Sequence, residues 1–392
     1  MLTLFKKKNT AALVFLYIFT FLWASAIALP LYIQSSYLEQ FVPVSRVGLY
    51  LTAATAITLV AITFFPYFIK RYGNYPTSVT ILSLLTVSEF ALAFAGNAGV
   101  ALVFFITYYL CWSLLLINID VYLEELADER HMGRIRTGFL TIFNLAVAFT
   151  PLLMGYLSQN ENYARVYFVS GIILIPAFLF LLVQKRYTKK KLTEYSSRRL
   201  PELLLAIRGN RNIVKIFQVA LTLRIFFSIM VLYTPIYLHQ QFGFGWEQLG
   251  VMFAIMLLPF VIFELPAGGM ADRYWGEKEM MVFGLLVMMI STGAIFFVTS
   301  HSFAVWTALL FLTRVGAALV ESMQDVYFFK IVHRGDLDMI DLFRDLGPAG
   351  WLLGPTFAVI LLQFLPVEYV FLALASIIFI SLRSALTMQD TK

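Results

Sequence analysis

Twelve long apolar runs constrain this chain more than any other feature of it. Hydrocarbon about 30 Å thick, crossed at about 1.5 Å per residue, calls for about 20 mainly apolar residues per helix. The sequence supplies such runs near 11–33, 46–68, 77–96, 99–120, 137–158, 164–183, 212–239, 248–270, 280–299, 303–326, 345–364 and 367–387. They are continuous and lack the alternation of barrel strands, so they predict helices. Composition points the same way. Of 392 residues, 60% are hydrophobic and 13% charged, about half the charged share of a soluble domain. That excludes an ordinary cytosolic enzyme and a disordered regulator. Cys111 is the single cysteine, so no internal disulfide is possible.

Basic residues fall on alternate connections. Lys6, Lys7 and Lys8 precede span 1, and Lys70 and Arg71 follow span 2. Arg130, Arg134 and Arg136 lie between spans 4 and 5. A dense group from Lys185 to Arg211 separates spans 6 and 7. Arg273 and Lys278 follow span 8, and Lys330 and Arg334 follow span 10. The opposite connections hold only Arg46 and Arg165 as exceptions. This asymmetry predicts a multi-pass inner-membrane protein with both termini and the middle segment in the cytoplasm. The net charge of +6 is then a matter of topology, and no nucleic-acid partner is expected.

The two halves repeat at an offset of about 202–205 residues. Pro30-Leu31-Tyr32 at the end of span 1 answers Pro235-Ile236-Tyr237 at the end of span 7. Val47-Gly48 and Arg71-Tyr72-Gly73 answer Leu249-Gly250 and Arg273-Tyr274-Trp275-Gly276. Asp120-Val121-Tyr122 answers Asp325-Val326-Tyr327, and His131-Met132-Gly133 answers His333-Arg334-Gly335. Pro151 answers Pro355. The repeat predicts a six-helix bundle over 1–183, a cytoplasmic linker over 184–211 and a second bundle over 212–392. It also argues that span 1 is retained, although Lys6–Lys8 and Ala24-Ser25-Ala26 imitate a cleaved signal sequence.

Two parallel repeats suit a transporter, and at this point the chain resembles the major facilitator superfamily over its whole length. The most specific stretch is Gly268-Gly269-Met270-Ala271-Asp272-Arg273-Tyr274-Trp275-Gly276-Glu277-Lys278. It is similar to that family's Gly-x-x-Ala-Asp-Arg-x-Gly-Arg/Lys-Arg/Lys loop, with one extra residue before the glycine. The copy after span 2 is degraded: Pro66 and Lys70 replace the glycine and the aspartate, while Arg71 and Gly73 remain. The resemblance implies an all-α membrane protein of twelve helices in two pseudo-symmetric bundles. It also implies a cytoplasmic latch made of Arg71 with Asp120, and of Asp272 and Arg273 with Asp325. Static charges at helix ends are the plainer reading of those residues.

Ionisable groups within spans are costly and mark functional candidates. They are Glu89, Arg224, Glu264, Arg314 and Glu321. Arg224 and Arg314 lie near mid-depth in spans that the resemblance makes cavity-lining, and two guanidinium forks suit an anion. Pairing with local glutamates is the competing reading. Arg314, Glu321 and Asp325 fall on one face of span 10, within about 20° of each other at 100° per residue. Glu321 is the first candidate for proton coupling and Glu264 the second. Glu89 reads as a buried, hydrogen-bonded acid. Opposite these charges, Trp23, Tyr109, Trp112 and Asn118 offer an aromatic, weakly polar wall for substrate, or simply packing.

No P-loop, zincin or nucleophile-elbow motif is present in the sequence. The expectation is therefore a non-enzymatic secondary transporter without cofactor, acting as a monomer on a small amphipathic solute, with proton-coupled export preferred. Organic-anion uptake or exchange through Arg224 and Arg314 is the alternative. A non-transporting receptor or lipid-binding protein on the same fold is the rival from another class.

Overall fold

The structure, a computed structural model, describes residues 2–126, 132–184, 209–273, 276–332 and 337–389. Twelve long helices account for most of them. They are α1 (Leu2–Ala28), α2 (Val44–Tyr72), α3 (Asn74–Ala93), α4 (Ala98–Leu126), α5 (Met132–Leu157) and α6 (Tyr163–Gln184). The second set is α7 (Arg211–Phe242), α8 (Trp246–Arg273), α9 (Glu277–Phe297), α10 (Phe303–Ile331), α11 (Leu337–Leu361) and α12 (Glu368–Leu386). Ten of these are long and apolar enough to cross a membrane by length and composition. α1 contributes a shorter apolar stretch, Leu13–Ala28.

Local chemistry sets the helix ends. Gly73, at φ 88°, closes α2 and immediately precedes α3; that dihedral favours a residue without Cβ. The Asn210 side chain caps α7 by accepting from the backbone N–H groups of Asn212 and Ile213 at 3.0 and 3.4 Å. This satisfies two of the donors that a helix start leaves open. Gly243, at φ 69°, closes the other end of α7.

The expected first span differs from the observed helix. α1 stops at Ala28, and a short helix, Gln34–Glu39, follows a bend and turn. Pro30 supplies the reason. It has no N–H to give the Ala26 carbonyl four residues earlier, so the helical ladder ends there. Its repeat partner Pro235 lies inside an uninterrupted α7.

The chain divides into two compact units, Met1–Thr193 with Gly245–Gly250, and Glu194–Phe244 with Val251–Lys392. The repeat seen in the sequence returns as repeated packing. In unit 1, α1 packs on α4, α5 and α6, and α3 on α4 and α6. In unit 2, α7 packs on α10, α11 and α12, and α9 on α10 and α12. Small residues let these helices approach closely. A Cβ on Gly316 of α10 would lie 2.6 Å from the Gly284 carbonyl oxygen of α9. Large apolar side chains such as Phe64, Phe94, Phe297 and Phe364 remain exposed. Lipid covers such surface in a membrane protein, where water would penalise it.

Candidate functional site

Unit 2 assembles its charged residues on three helices. Arg224 stands 13 residues into α7, about 20 Å along it at ~1.5 Å per residue. α11 packs directly behind it. A Cβ on Gly350 would meet Arg224 and come within 3.0 Å of the Ile225 backbone nitrogen. A Cβ on Gly354 would overlap the Ser228 hydroxyl. Ser228 in turn donates toward the Ile225 and Gly350 carbonyls, at 2.9 and 3.2 Å. Two glycines one turn apart thus press α11 against the backbone that carries Arg224.

The guanidinium of Arg224 donates to Glu321 Oε1 of α10 at 2.8 Å. Their side chains keep 30% and 25% of their exposure, so the pair is neither sealed nor fully hydrated. Arg314 has 1% exposure. Its guanidinium lies 5.0 Å from the Phe226 ring centre and 5.8 Å from that of Phe227. A cation over an aromatic face is attracted by the ring quadrupole. Arg224 itself lies 6.0 Å from the Phe227 ring. Arg314 and Glu321, expected on one face of span 10, therefore both meet α7. Asp325 is exposed, within electrostatic reach of Glu321, Arg224 and Arg344. The result is one ion pair, Arg224 with Glu321, with Asp325 and Arg344 within electrostatic reach of it and Arg314 set against the neighbouring aromatics.

The residues expected to form a wall in unit 1 are mostly enclosed. Trp23 is fully buried and packs against Phe143 at 5.8 Å between ring centres. Tyr109 is buried and meets the Trp112 ring edge-on at 5.6 Å. Trp112 is half-buried. Asn118 is fully buried: its amide donates to the Asn74 side chain, and the Asn74 amide donates to the Asn118 carbonyl at 3.3 Å. Asn118 thus clasps α4 to α3. Of these four residues, Trp112 keeps the most surface.

Among the expected latch residues, the side chains of Asp120, Asp272 and Arg273 lie outside the described residues, as does that of Glu264. Arg71 is exposed, donates to the Tyr67 hydroxyl at 2.9 Å, and lies 5.4 Å from the Tyr72 ring. An ion pair absent from the sequence reading stands nearby in the repeat. Lys330 of α10 bridges to Glu277, the buried first residue of α9. The signal was in the loop signature, where Glu277 occupies a position that the pattern gives to a basic residue. Among the described residues, no group of three or more His, Cys, Asp or Glu could hold a metal ion.

The model of the Major Facilitator Superfamily matches residues 11–339 and 247–388. The chain belongs to that superfamily. It is 23% identical over 348 residues to YcaD, an uncharacterized MFS-type transporter of Salmonella heidelberg, covering 87% of this chain and 86% of that one. The YcaD of Salmonella arizonae is likewise 23% identical, over 350 residues. Among solved structures, a bacterial homologue of the human lysosomal transporter Spinster, inward-facing and unoccupied, superposes with a TM-score of 0.73. It is 11% identical and covers 98% of both chains. An auto-inhibited peptide transporter of the POT family superposes at 0.74, with 13% identity over 97% of this chain and 98% of the other. At such identities the two structures speak for the fold. This superfamily member is an integral membrane protein of the secondary-transporter class.

Proposed function

We propose that this superfamily member carries a small amphipathic organic anion across the membrane together with a proton, by alternating access. The observation that carries the reading is the partly exposed Arg224–Glu321 pair. A guanidinium fork holds a carboxylate or phosphate bidentately, and Glu321 already occupies part of that fork. An incoming anion competes with Glu321 for Arg224. The displaced carboxylate has lost its counter-charge and is the group that takes the coupled proton in this reading. Anion and proton then move together, and an inward proton gradient drives uptake. Phe227 beside Arg224 suits an apolar or aromatic portion on the anion.

Export of a solute along an aromatic wall finds less support, because Trp23, Tyr109 and Asn118 are spent on packing. In this reading Arg71, Asp120, Asp272, Arg273 and Asp325 hold the cytoplasmic ends, both termini face the cytoplasm, and the monomer works without a cofactor.

The test is reconstitution in liposomes loaded with a pH-sensitive dye. Organic anions and amphipathic cations are presented to wild type, Glu321→Gln and Arg224→Ala. Substrate-driven acidification with anions, lost in both variants, is the expected result. A response to cations that survives Arg224→Ala would overturn the anion reading and return export to first place.

A further inference from the structure

Unit 1 holds a second carboxyl that the transport reading does not use. Glu89 of α3 has no exposed surface. Its Oε1 lies 2.7 Å from the Ser170 hydroxyl of α6, and that same hydroxyl lies 2.7 Å from the Ala26 carbonyl of α1. Its Oε2 has no hydrogen-bond partner among the described protein atoms.

The donor count decides the protonation state. A serine hydroxyl has one proton. The Ala26 carbonyl can only accept, and Pro30 denies it the helical donor it would otherwise have. A carboxylate can also only accept. With Glu89 ionised, one proton must serve two acceptors, and a bare charge with an unpartnered oxygen sits in a dry core. With Glu89 neutral, both contacts are satisfied. Ser170 donates to Ala26, and the acid O–H donates to Ser170. The oxygen left over is then a neutral carbonyl, which costs far less to bury than a charge.

The surroundings favour the neutral form. From α4, Tyr108 faces Glu89, with its hydroxyl donating to the Ile27 carbonyl at 3.1 Å and accepting from Gln34 at 3.3 Å. From α6, Tyr167 lies within electrostatic reach of it, with the Tyr37 ring of the short helix tilted against Tyr167 at 4.6 Å between centres. α1 contributes the Ala26 carbonyl, and no described charged side chain of α1 or α2 acts on Glu89.

We infer that Glu89, Ser170 and the Ala26 carbonyl form a proton-binding site, in which the bound proton fastens the broken end of α1 to α3 and α6. Release is balanced: Glu89 gives its proton to water, the Ser170 hydroxyl turns from Ala26 to the new carboxylate, and the Ala26 carbonyl loses its donor. Proton loss therefore unfastens α1 from its neighbours. The site lies in unit 1, apart from the Arg224–Glu321 pair, and stands whether or not an anion is the substrate.

The experiment is infrared spectroscopy of the full-length protein in lipid nanodiscs at neutral pH, with wild type, Glu89→Gln and Ser170→Ala. Wild type shows the carbonyl stretch of a protonated acid, and Glu89→Gln loses it. Ser170→Ala keeps the band and shifts it to higher frequency, because the acid has lost its acceptor. This second variant decides the matter if Glu89→Gln does not fold. A spectrum identical in wild type and Glu89→Gln, or a band indifferent to Ser170→Ala, overturns the inference. Loss of the wild-type band on adding sodium would overturn it too, in favour of a metal cation. Glu321→Gln leaves the band untouched, so failure of the anion reading stays separate from failure of this one.

Discussion

The two units hold a carboxyl each in opposite ways. In unit 2, Glu321 meets a guanidinium and keeps a quarter of its exposure. In unit 1, Glu89 has no surface, and its hydrogen-bond partner among the described residues is the Ser170 hydroxyl. A partly exposed ion pair can be opened by a competing anion, because the competitor offsets the cost of separating the charges. A carboxyl in a dry core has no such route and changes state by gaining or losing a proton. The two units of a repeated scaffold thus hold their carboxyls in different ways: one paired with a cation and partly exposed, one enclosed beside a hydroxyl.

The contrast breaks most severely at the helix contact that sets Arg224. Gly354→Leu would drive a side chain into Ser228 and Ile225 of α7. Overpacking costs about 1–3 kcal/mol or more, and here the backbone has little room to yield. Loss of most monodisperse protein in size-exclusion chromatography is the expected outcome, whereas full recovery would mean that α11 is free to move away from α7.

Arg224→Ala comes next. At least a tenfold fall in anion-linked proton movement in liposomes, about 1.4 kcal/mol, is expected with fold and monodispersity retained. Ser170→Ala sharpens the unit 1 side. Removing the group shared by Glu89 and Ala26 should lower stability by about 1–3 kcal/mol, read as an earlier thermal unfolding of the purified protein. Asn118→Ala should cost a similar amount, because Asn74 loses its partner; an unchanged melting temperature would argue that the α3–α4 clasp is idle. The smallest effects belong to the helix ends. Lys330→Ala removes the cation bridged to buried Glu277 and should cost about 1 kcal/mol. Arg71→Ala, with an exposed partner on its own helix, should remain within about 0.5 kcal/mol. Measuring those two side by side shows whether the ends of the two units are held with equal force.

Much of this was legible from the sequence because membranes impose coarse rules. Apolar runs of spanning length suffice for the helices, and a repeat at one offset for the recurrence of their packing. The repeat misleads at Pro30, however. Matching it to Pro235 treats two prolines alike, while one ends a helix and the other sits within one. Arg224 and Glu321 were also legible as candidates, since a charge in hydrocarbon is conspicuous. Their partnership was not, because it depends on how α7 and α10 are rotated against each other. Asn118 shows the reverse difficulty. Its polar amide looked available for substrate, yet Asn74, 44 residues earlier, consumes it, and no periodicity connects two such distant residues. Glu277 was readable in principle, as an acid in a basic position of the loop signature.

The break at Pro30 bears on how the protein is made. Ala26 and Ile27 end α1 with carbonyls satisfied by Ser170 of α6 and Tyr108 of α4, and each open carbonyl in hydrocarbon costs several kcal/mol. The ribosome delivers α1 first and α6 roughly 140 residues later (Ala26 and Ser170 are 144 apart). During that interval α4 can supply Tyr108 to Ile27, but the Ala26 carbonyl has no permanent partner. It must wait near the interface, or in the care of the insertion machinery, until the bundle closes around it. Truncations that stop before α6 should therefore leave α1 shallow and easily extracted, and completing α6 should be the step that commits unit 1 to the bilayer.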